Sequence, residues 1–457
     1  MSGGEQPSTQ DEGVAELRID SWAAGGRGVG RVDGRVWMVI GAVPGDRVEA
    51  KPTKVHERLV EAVALRVLEG SVGRRAAPCP IQSVCGGCPM MAVDESEQRS
   101  AKRGFVIDAL QRIGRLREPP VDDVEHVPPI LGYRNKVELS FSRERPRRLG
   151  YHRADLPSLL IDVDSCAIAD PRLQTLLDVA RSFFLEGPGA AEPALADPRE
   201  RVRLVLRASG TRDERLIALR GPDGPFASAR PFAEAAVAAD PGLVGVVRLI
   251  AGIGRRGGAA VETIAGRSWI TEEIHAISYR VPAATFLQVH AQAAERLGRF
   301  VLDRAGAPRQ VVELYGGIGT LGLALARGGA QATIVDADAA AIACGREAAE
   351  RHGLTTARFE RADVLAYLTA RREPPDLVLA DPPRTGLGRG VAARLAALGA
   401  PRIAMISCDP ATLARDLAAL TERGYRVEGV TPFDLFPQTA HVETVTWLKR
   451  APESDLR

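Results

Sequence analysis

Cys408 closes the stretch Met405-Ile406-Ser407-Cys408-Asp409-Pro410, in which an apolar run meets a sharp Asp-Pro turn. The pattern predicts a strand end that presents one thiol at the rim of a sheet. In open α/β sheets that rim is where ligands bind. A solitary cysteine is more often core filling than a nucleophile, but two other stretches weigh against that here. Asp381-Pro382-Pro383-Arg384-Thr385-Gly386 lies upstream, and Phe436-Pro437-Gln438-Thr439-Ala440-His441-Val442-Glu443 lies downstream. A second set of thiols, Cys79, Cys85 and Cys88, has C-x5-C-x2-C spacing on a Gly-rich loop. Glycines let such a loop turn tightly, so three thiols can converge on one centre. The fourth thiolate that an iron–sulfur cluster takes is absent locally, and Cys166 is the distant candidate. An all-cysteine zinc site also takes four, usually as paired C-x2-C knuckles, which this spacing is not.

Composition bounds the scaffold that must hold these groups. At 457 residues the chain has room for two or three domains and a substantial core. Lys plus Arg 60 against Asp plus Glu 58 leaves it near neutral, so only local patches bear on nucleic acid. The start, MSGGEQPSTQDEG, is polar and acidic and lacks the basic-then-apolar order of a signal peptide. No apolar run is long enough for a bilayer. The expectation is a cytoplasmic protein whose six cysteines are ligands or nucleophiles rather than disulfides.

Residues 14 to about 68 alternate short apolar runs with Gly and Pro, which predicts a small barrel of the OB type. Residues 93–116 have helical periodicity, with Phe105, Ile107, Leu110 and Ile113 on or near one face, and Pro119-Pro120 follows. Arg99, Lys102, Arg103, Arg112 and Arg115 on its other faces read as solvated surface. Tyr133-Arg134-Asn135-Lys136 opens an alternating strand, and the densest basic stretch follows, from Arg143 through Arg145, Arg147 and Arg148 to Tyr151 and Arg153. Phosphate contacts combined with stacking hold single-stranded RNA in this way. From 171 to about 263, a helix, an Ala/Pro/Gly-rich loop, strands at 202–208, 215–220 and 244–251 and a helix at 229–239 predict an α+β subdomain without chemistry.

The last domain begins at Thr285-Phe286-Leu287-Gln288-Val289-His290 and continues through a helix at 291–304. The stretch Val311-Val312-Glu313-Leu314-Tyr315-Gly316-Gly317-Ile318-Gly319-Thr320 reads as a buried strand breaking into a Gly-rich turn, where a ligand can approach the backbone. Gly317-x-Gly319-x-x-Gly322 also fits a dinucleotide fingerprint, a weak sign by itself. Asp336 ends the next strand, where a carboxylate can take the ribose hydroxyls of NAD or of S-adenosylmethionine. Arg384 stands where amino-group methyltransferases place an aromatic residue, which argues against an exocyclic amine as acceptor. A closing hairpin puts Glu443 on the final strand, and Cys344 reads as core.

In this order the motifs resemble the 5-methyluridine RNA methyltransferases, an S-adenosylmethionine-dependent family that adds to uracil C5 through a cysteine. The likeness spans nearly the whole chain. It implies an α/β fold: a Rossmann-like class I methyltransferase domain over 285–457, a TRAM barrel over 10–70, and a central α+β iron–sulfur domain over 71–284 whose helix 93–116 is expected against the catalytic domain. GRGVGRVDGRVWMVIGAVPGD carries the TRAM resemblance, with Lys51, Lys54, Arg58, Arg74 and Arg75 as expected phosphate contacts. By resemblance Cys408 is the nucleophile and Glu443 the base, and Gln288, Tyr315, Gly317, Thr320, Asp336, Asp363 and Asp381 hold S-adenosylmethionine. Cys79, Cys85, Cys88 and Cys166 are implied ligands of a structural 4Fe-4S cluster. Family members with both barrel and cluster mostly modify large-subunit ribosomal RNA, so a monomer acting on 23S rRNA is expected. The alternatives are a tRNA uracil-C5 methyltransferase, a non-catalytic RNA-binding iron–sulfur protein, and an NAD-dependent oxidoreductase. His290, Gly316 and Asp409 depart from the family's usual Asn, Cys and Asn, and Thr320 stands where Asn is frequent.

The chemistry explains the residue types. Uracil C5 is a poor nucleophile until a thiolate adds to C6 and makes an enolate. Only the thiolate attacks, so Cys408 needs an electropositive setting, expected from Arg384. The carboxylate of Asp409 would raise the thiol pKa unless it points away. A positioned base must then take the C5 proton before the thiol leaves. A paired base is out of reach, so the uridine is expected single-stranded or flipped out.

Overall fold

Alternation of inward and outward side chains closes the first five strands into a barrel: Leu17, Ile19, Trp37, Val39, Val48, Ala50, Val60 and Ala62 form its core. The computed structural model describes residues 13–250 and 260–452. The polar N-terminal run up to residue 12, and Ala251 at the end of an expected strand, lie outside the described residues. Contacts divide the chain into two compact units, Met1–Ala101 with His152–Leu159 and Gln438–Ala440, and the remainder. In the first unit β1 (Ala15–Ala23), β2 (Arg27–Val32), β3 (Arg35–Ile40), β4 (Arg47–Val55) and β5 (Leu59–Glu69) pair in the closed order β1-β2-β3-β5-β4.

Of the five cations expected to meet phosphate, Lys51, Lys54 and Arg58 are exposed on or beside β4. Arg74 and Arg75 are not available in the same way. Arg74 holds the buried Asp46 carboxylate and the Gly41 carbonyl, and Arg75 donates to Glu95 and to Gln438 Oε1. A buried carboxylate demands a partner, and the nearest guanidinium serves it. The loop of Cys79, Cys85 and Cys88 lies in this unit as a series of turns, with all three thiols half-buried and free of disulfides.

Helix α1 (Glu95–Arg112) belongs to the second unit from Lys102 onward. Its buried face there is Lys102, Val106, Ala109 and Leu110, while Ile113 is exposed. The solvated reading of Lys102 is therefore corrected: its side chain is wholly buried against an acidic partner, Asp434. After β6 (Glu125–His126) comes a seven-stranded sheet, its elements being β7 (Lys136–Phe141), β8 (Leu149–His152), β9 (Leu160–Asp162), α2 (Gln174–Arg181), β10 (Arg203–Ala208), β11 (Arg215–Gly221), α3 (Ala229–Ala239), β12 (Leu243–Ile250) and β13 (Ala260–Gly266). The basic stretch beside β7 is largely engaged at home. Arg143 donates to the Asp197 and Pro198 carbonyls, Arg145 and Arg147 to Ala190, and Arg148 to Leu160. Loop carbonyls without ladder partners need donors, and arginine has five.

The hairpin β14 (Trp269–Ile274) and β15 (Ile277–Pro282) leads into the catalytic half. There α4 (Ala291–Ala305), β16 (Gln310–Leu314), α5 (Thr320–Arg327), β17 (Gln331–Asp336), α6 (Ala339–Arg351), β18 (Ala357–Arg361), α7 (Val364–Ala370), β19 (Leu377–Ala380), α8 (Val391–Leu398), β20 (Arg402–Ser407), α9 (Pro410–Thr421), β21 (Tyr425–Asp434) and β22 (Glu443–Arg450) follow in turn. The sheet order is β18-β17-β16-β19-β20-β22-β21-β6, so a strand from outside the expected 285–457 span completes it. Both faces are buried. Val312, Leu314, Val378 and Met405 face α1, α8 and α9, while Val311, Leu377, Leu379 and Ala404 face α4 and α5. Strand order reverses between β16 and β19, and such a switch point opens a crevice at the carboxyl ends of the strands.

Candidate active site

Strand register brings Cys408 and Glu443 to the same end of one strand pair. β20 pairs antiparallel with β22, and the last pair is Ser407 with Thr444. The next residue on each strand is Cys408 on one side and Glu443 on the other. The Thr444 hydroxyl donates to the Ser407 carbonyl at 3.1 Å and closes the ladder there. β19 runs parallel to β20 with Ala380 beside Met405, which brings Asp381 to the same rim. The Asp381 N–H donates to the Leu314 carbonyl at 3.2 Å, so Tyr315 joins from β16.

Glu443, Asp381 and Arg384 act on the titration of Cys408, and Asp381 and Arg384 on that of Glu443. Burial, then the Glu443 carboxylate, pushes the Cys408 thiol up to about 11; Asp381 acts in the same direction and Arg384 opposes them. Glu443 is 3% exposed, and burial with nearby Asp381 raises its carboxyl well above the ordinary range, again against Arg384. Asp381 is pushed up to about 7 by the protein enclosing it, although its surface opens onto a cavity. Among the described residues no hydrogen bond acts on the Asp381 or Glu443 carboxyl. The electropositive setting expected for Cys408 is thus only partly met: Arg384 draws the thiol down, but burial and Glu443 outweigh it.

Asp409 points away from the thiol. Its carboxylate caps α9, accepting the Thr412 N–H at 2.9 Å, a role Asn fills equally well. His290 likewise caps α4, its Nδ1 accepting the Ala293 N–H at 3.4 Å while Nε2 meets the Val127 carbonyl at 3.2 Å. Both departures keep a cap. Arg384 Nη2 stands 3.1 Å from His441 Nε2 and 3.2 Å from Nδ1. Surrounding protein, then Arg384, pushes His441 down to about 4, so its ring is neutral at pH 7.

A cavity of about 750 Å³ opens beside these groups, lined among others by Gln288, Glu313, Tyr315, Thr320 and Asp381. Gln288 Oε1 is buried on its wall without a hydrogen-bond partner, an acceptor waiting for a donor. Tyr315 has φ 56° and is held in that left-handed conformation by its hydroxyl, which donates to the Leu387 carbonyl at 2.6 Å. A Cβ at Gly322 would lie 2.5 Å from Glu313 Oε2; its absence lets Glu313 accept the Gly322 N–H at 2.8 Å. Burial pushes the Glu313 carboxyl up to about 8. Asp336 accepts N–H groups from Gly317 at 2.9 Å and Asp338 at 2.8 Å. Asp363 caps α7 through Ala366 at 3.0 Å. Gln288, Tyr315, Thr320 and Asp381 therefore share the cavity wall. Gly317, Asp336 and Asp363 stand outside it, along β16, β17 and β18.

Two residues escaped the sequence reading. Glu313 carries a visible sign, an acid inside the apolar strand QVVEL, whereas Lys102 looks like any other helix cation. Cys166 belongs to the second unit and the other three candidate ligands to the first. Among the described residues no group of three or more His, Cys, Asp or Glu is arranged to hold a metal ion. No helix among them is long and apolar enough to cross a membrane.

Comparison with known proteins agrees with this geometry. Residues 262–451 match the tRNA (uracil-5-)-methyltransferase family and residues 14–65 the TRAM domain. An RNA methyltransferase of Gloeobacter violaceus is 34% identical over 95% of this chain and 96% of its own. One from Thermosynechococcus vestitus is 34% identical over 96% of this chain and 98% of its own. The fold matches that of the Pyrococcus abyssi tRNA (uracil-54, C5)-methyltransferase, solved with S-adenosyl-L-homocysteine, at TM-score 0.71 and 22% identity, covering 95% of this chain and all of that one. A class I methyltransferase fold behind a TRAM barrel defines the class. The chain belongs to the RNA uracil-5 methyltransferase family.

Proposed function

We propose that this chain methylates C5 of a uridine in RNA, most directly 23S rRNA, through a covalent bond from Cys408 to C6. The observation that carries the reading is the opposition of Cys408 and Glu443 beyond the Ser407–Thr444 pair, next to the cavity. S-adenosylmethionine would supply an electrophilic methyl group for C5, and the cavity suits it: Glu313 and Asp381 offer acidic groups to a cation, and Gln288 an unpaired acceptor. Gln288, Tyr315, Thr320 and Asp381 would hold it at the cavity, and Gly317, Asp336 and Asp363 beyond. Cys408 Sγ adds to C6, and the π electrons move toward O4. After C5 is methylated, Glu443 takes its proton, the C5–C6 double bond re-forms, and the thiolate departs. Arg384 favours the ionised thiol against the burial that opposes it.

The ribosomal target rests on resemblance. The tRNA reading is supported by the Pyrococcus abyssi fold, which extends over the barrel and belongs to a protein named for a tRNA uridine. Mapping 5-methyluridine in both RNA classes from cells with and without the gene separates them. A uridine lost only from tRNA overturns the ribosomal target, and no lost 5-methyluridine overturns the activity.

The proposal includes a structural 4Fe-4S cluster on Cys79, Cys85, Cys88 and Cys166, supported by the C-x5-C-x2-C spacing and the family resemblance. No step of methyl transfer runs through iron. Anaerobically purified protein is expected to be brown, with iron and sulfide; colourless protein with stoichiometric zinc removes the cluster. A monomer in the cytoplasm completes the proposal, since reduced thiols and an RNA substrate coexist there.

A further inference from the structure

Lys102 lies within α1 with its side chain wholly buried, and nothing in the chemistry above uses it. Its ammonium is 2.5 Å from Asp434 Oδ1 and donates to the Phe436 carbonyl at 3.0 Å. Asp434 is the last residue of β21, and its neighbour Phe433 pairs with Glu443 on β22. The next carbonyl, that of Pro437, accepts the Tyr133 hydroxyl at 3.0 Å. The Tyr133 ring stacks on His290, centroids 4.7 Å apart, and His290 is itself tied to Val127. Two consecutive carbonyls after β21 are thus held by donors from elements before residue 285. Among the described residues no hydrogen bond to the Glu443 carboxyl acts on its titration, and its strand, through the Phe433–Glu443 pair, sets where it lies.

We propose that Lys102 and Tyr133 are positioning residues for proton removal at C5: they fix the end of β21, and through its pairing with β22 they fix the reach of Glu443. Neither touches the reacting atoms. The inference rests on the reading of Glu443 as the base. A base acts only within about 2.6–3.2 Å of its proton, and a displacement of about 1 Å costs about 100-fold. Addition of Cys408 and methylation precede this step, so a misplaced Glu443 stalls the reaction with RNA still bonded to the thiol.

The test uses the full chain, S-adenosylmethionine with a labelled methyl group, and total RNA from cells lacking the gene. Lys102→Met is expected to lower kcat about 10- to 100-fold with little change in KM for S-adenosylmethionine. It is also expected to accumulate a labelled protein–RNA adduct that survives denaturation. Tyr133→Phe, which removes one hydroxyl and keeps the ring, is expected to do the same more weakly; it carries the test alone if Lys102→Met does not fold. Wild-type turnover without adduct in the folded variants, or slower turnover without adduct, overturns the inference. Glu443→Gln separates the two readings. If Glu443→Gln traps adduct and Tyr133→Phe and Lys102→Met do not, only the positioning role fails. If Glu443→Gln traps none, the base assignment fails with it.

Discussion

The carboxylates at the two halves of the catalytic rim differ in one respect. Asp338, Asp363 and Asp409 at α-helix starts, and Asp336 at the end of β17, each accept backbone N–H groups. Asp381 and Glu443 show no such bond among the described residues; enclosure pushes Asp381 up, and enclosure together with the Asp381 charge pushes Glu443 up. In the first set at least one oxygen of each carboxylate is tied to the backbone and shapes the loop it sits in. The second set carries no such bond among the described residues and is held in its raised range by burial and charge. Glu313 stands between the two: it accepts backbone N–H groups from Gly322 and Leu321 yet is raised to about 8 because it is buried.

The sharpest break of this contrast is Cys408→Ala, expected to reduce methyl transfer by at least about 1,000-fold, since covalent activation of C5 is lost. Radiolabel transfer to RNA measures it, and full activity would end the covalent mechanism. Next is Glu443→Gln, expected to slow turnover about 100- to 10,000-fold while adduct persists. In the wild type, raised Glu443 and Cys408 groups must both lose protons to act, so kcat/KM is expected to climb from pH 6 to pH 9. A profile falling over that range would contradict the environment described.

Glu313→Gln tests the intermediate case through stability. The carboxyl binds its proton more tightly folded, with a value of about 8, than unfolded, about 4.5. Its contribution is full below about pH 4.5 and is lost as pH rises toward 8. The variant should therefore gain about 1–3 kcal/mol over wild type at pH 8 and nothing near pH 4, read by denaturant unfolding. The smallest effect belongs to the satisfied set. Asp409→Ala should cost about 1 kcal/mol through the lost cap, and Asp409→Asn only a few tenths; a large loss in Asp409→Asn would give that carboxylate a chemical role.

Much of this was legible because it is local. Gly-rich turns, Asp-Pro breaks and strand-length apolar runs locate β16, β19 and β20 and place Cys408 at a strand end. The barrel and the helices at Ala229–Ala239 and Ala291–Ala305 follow from periodicity in the same way. Cations were less legible. Lys102 was read as solvated, and Arg74, Arg75 and the arginines of 143–148 as phosphate contacts. What a cation does depends on which carboxylate or carbonyl folds against it, and those partners lie 12 to 363 residues away, or nearer within irregular loops.

The amino-acid order by itself determined the strand that ends in a thiol, the turn that follows it, and the glycines that leave the cofactor loop its room, because each depends on neighbours a few residues apart. Only the tertiary structure decided which acid faces the thiol, which acids are consumed as caps, and which lysine is buried. Those outcomes depend on strand register and on burial, and both are set by segments far apart in the chain.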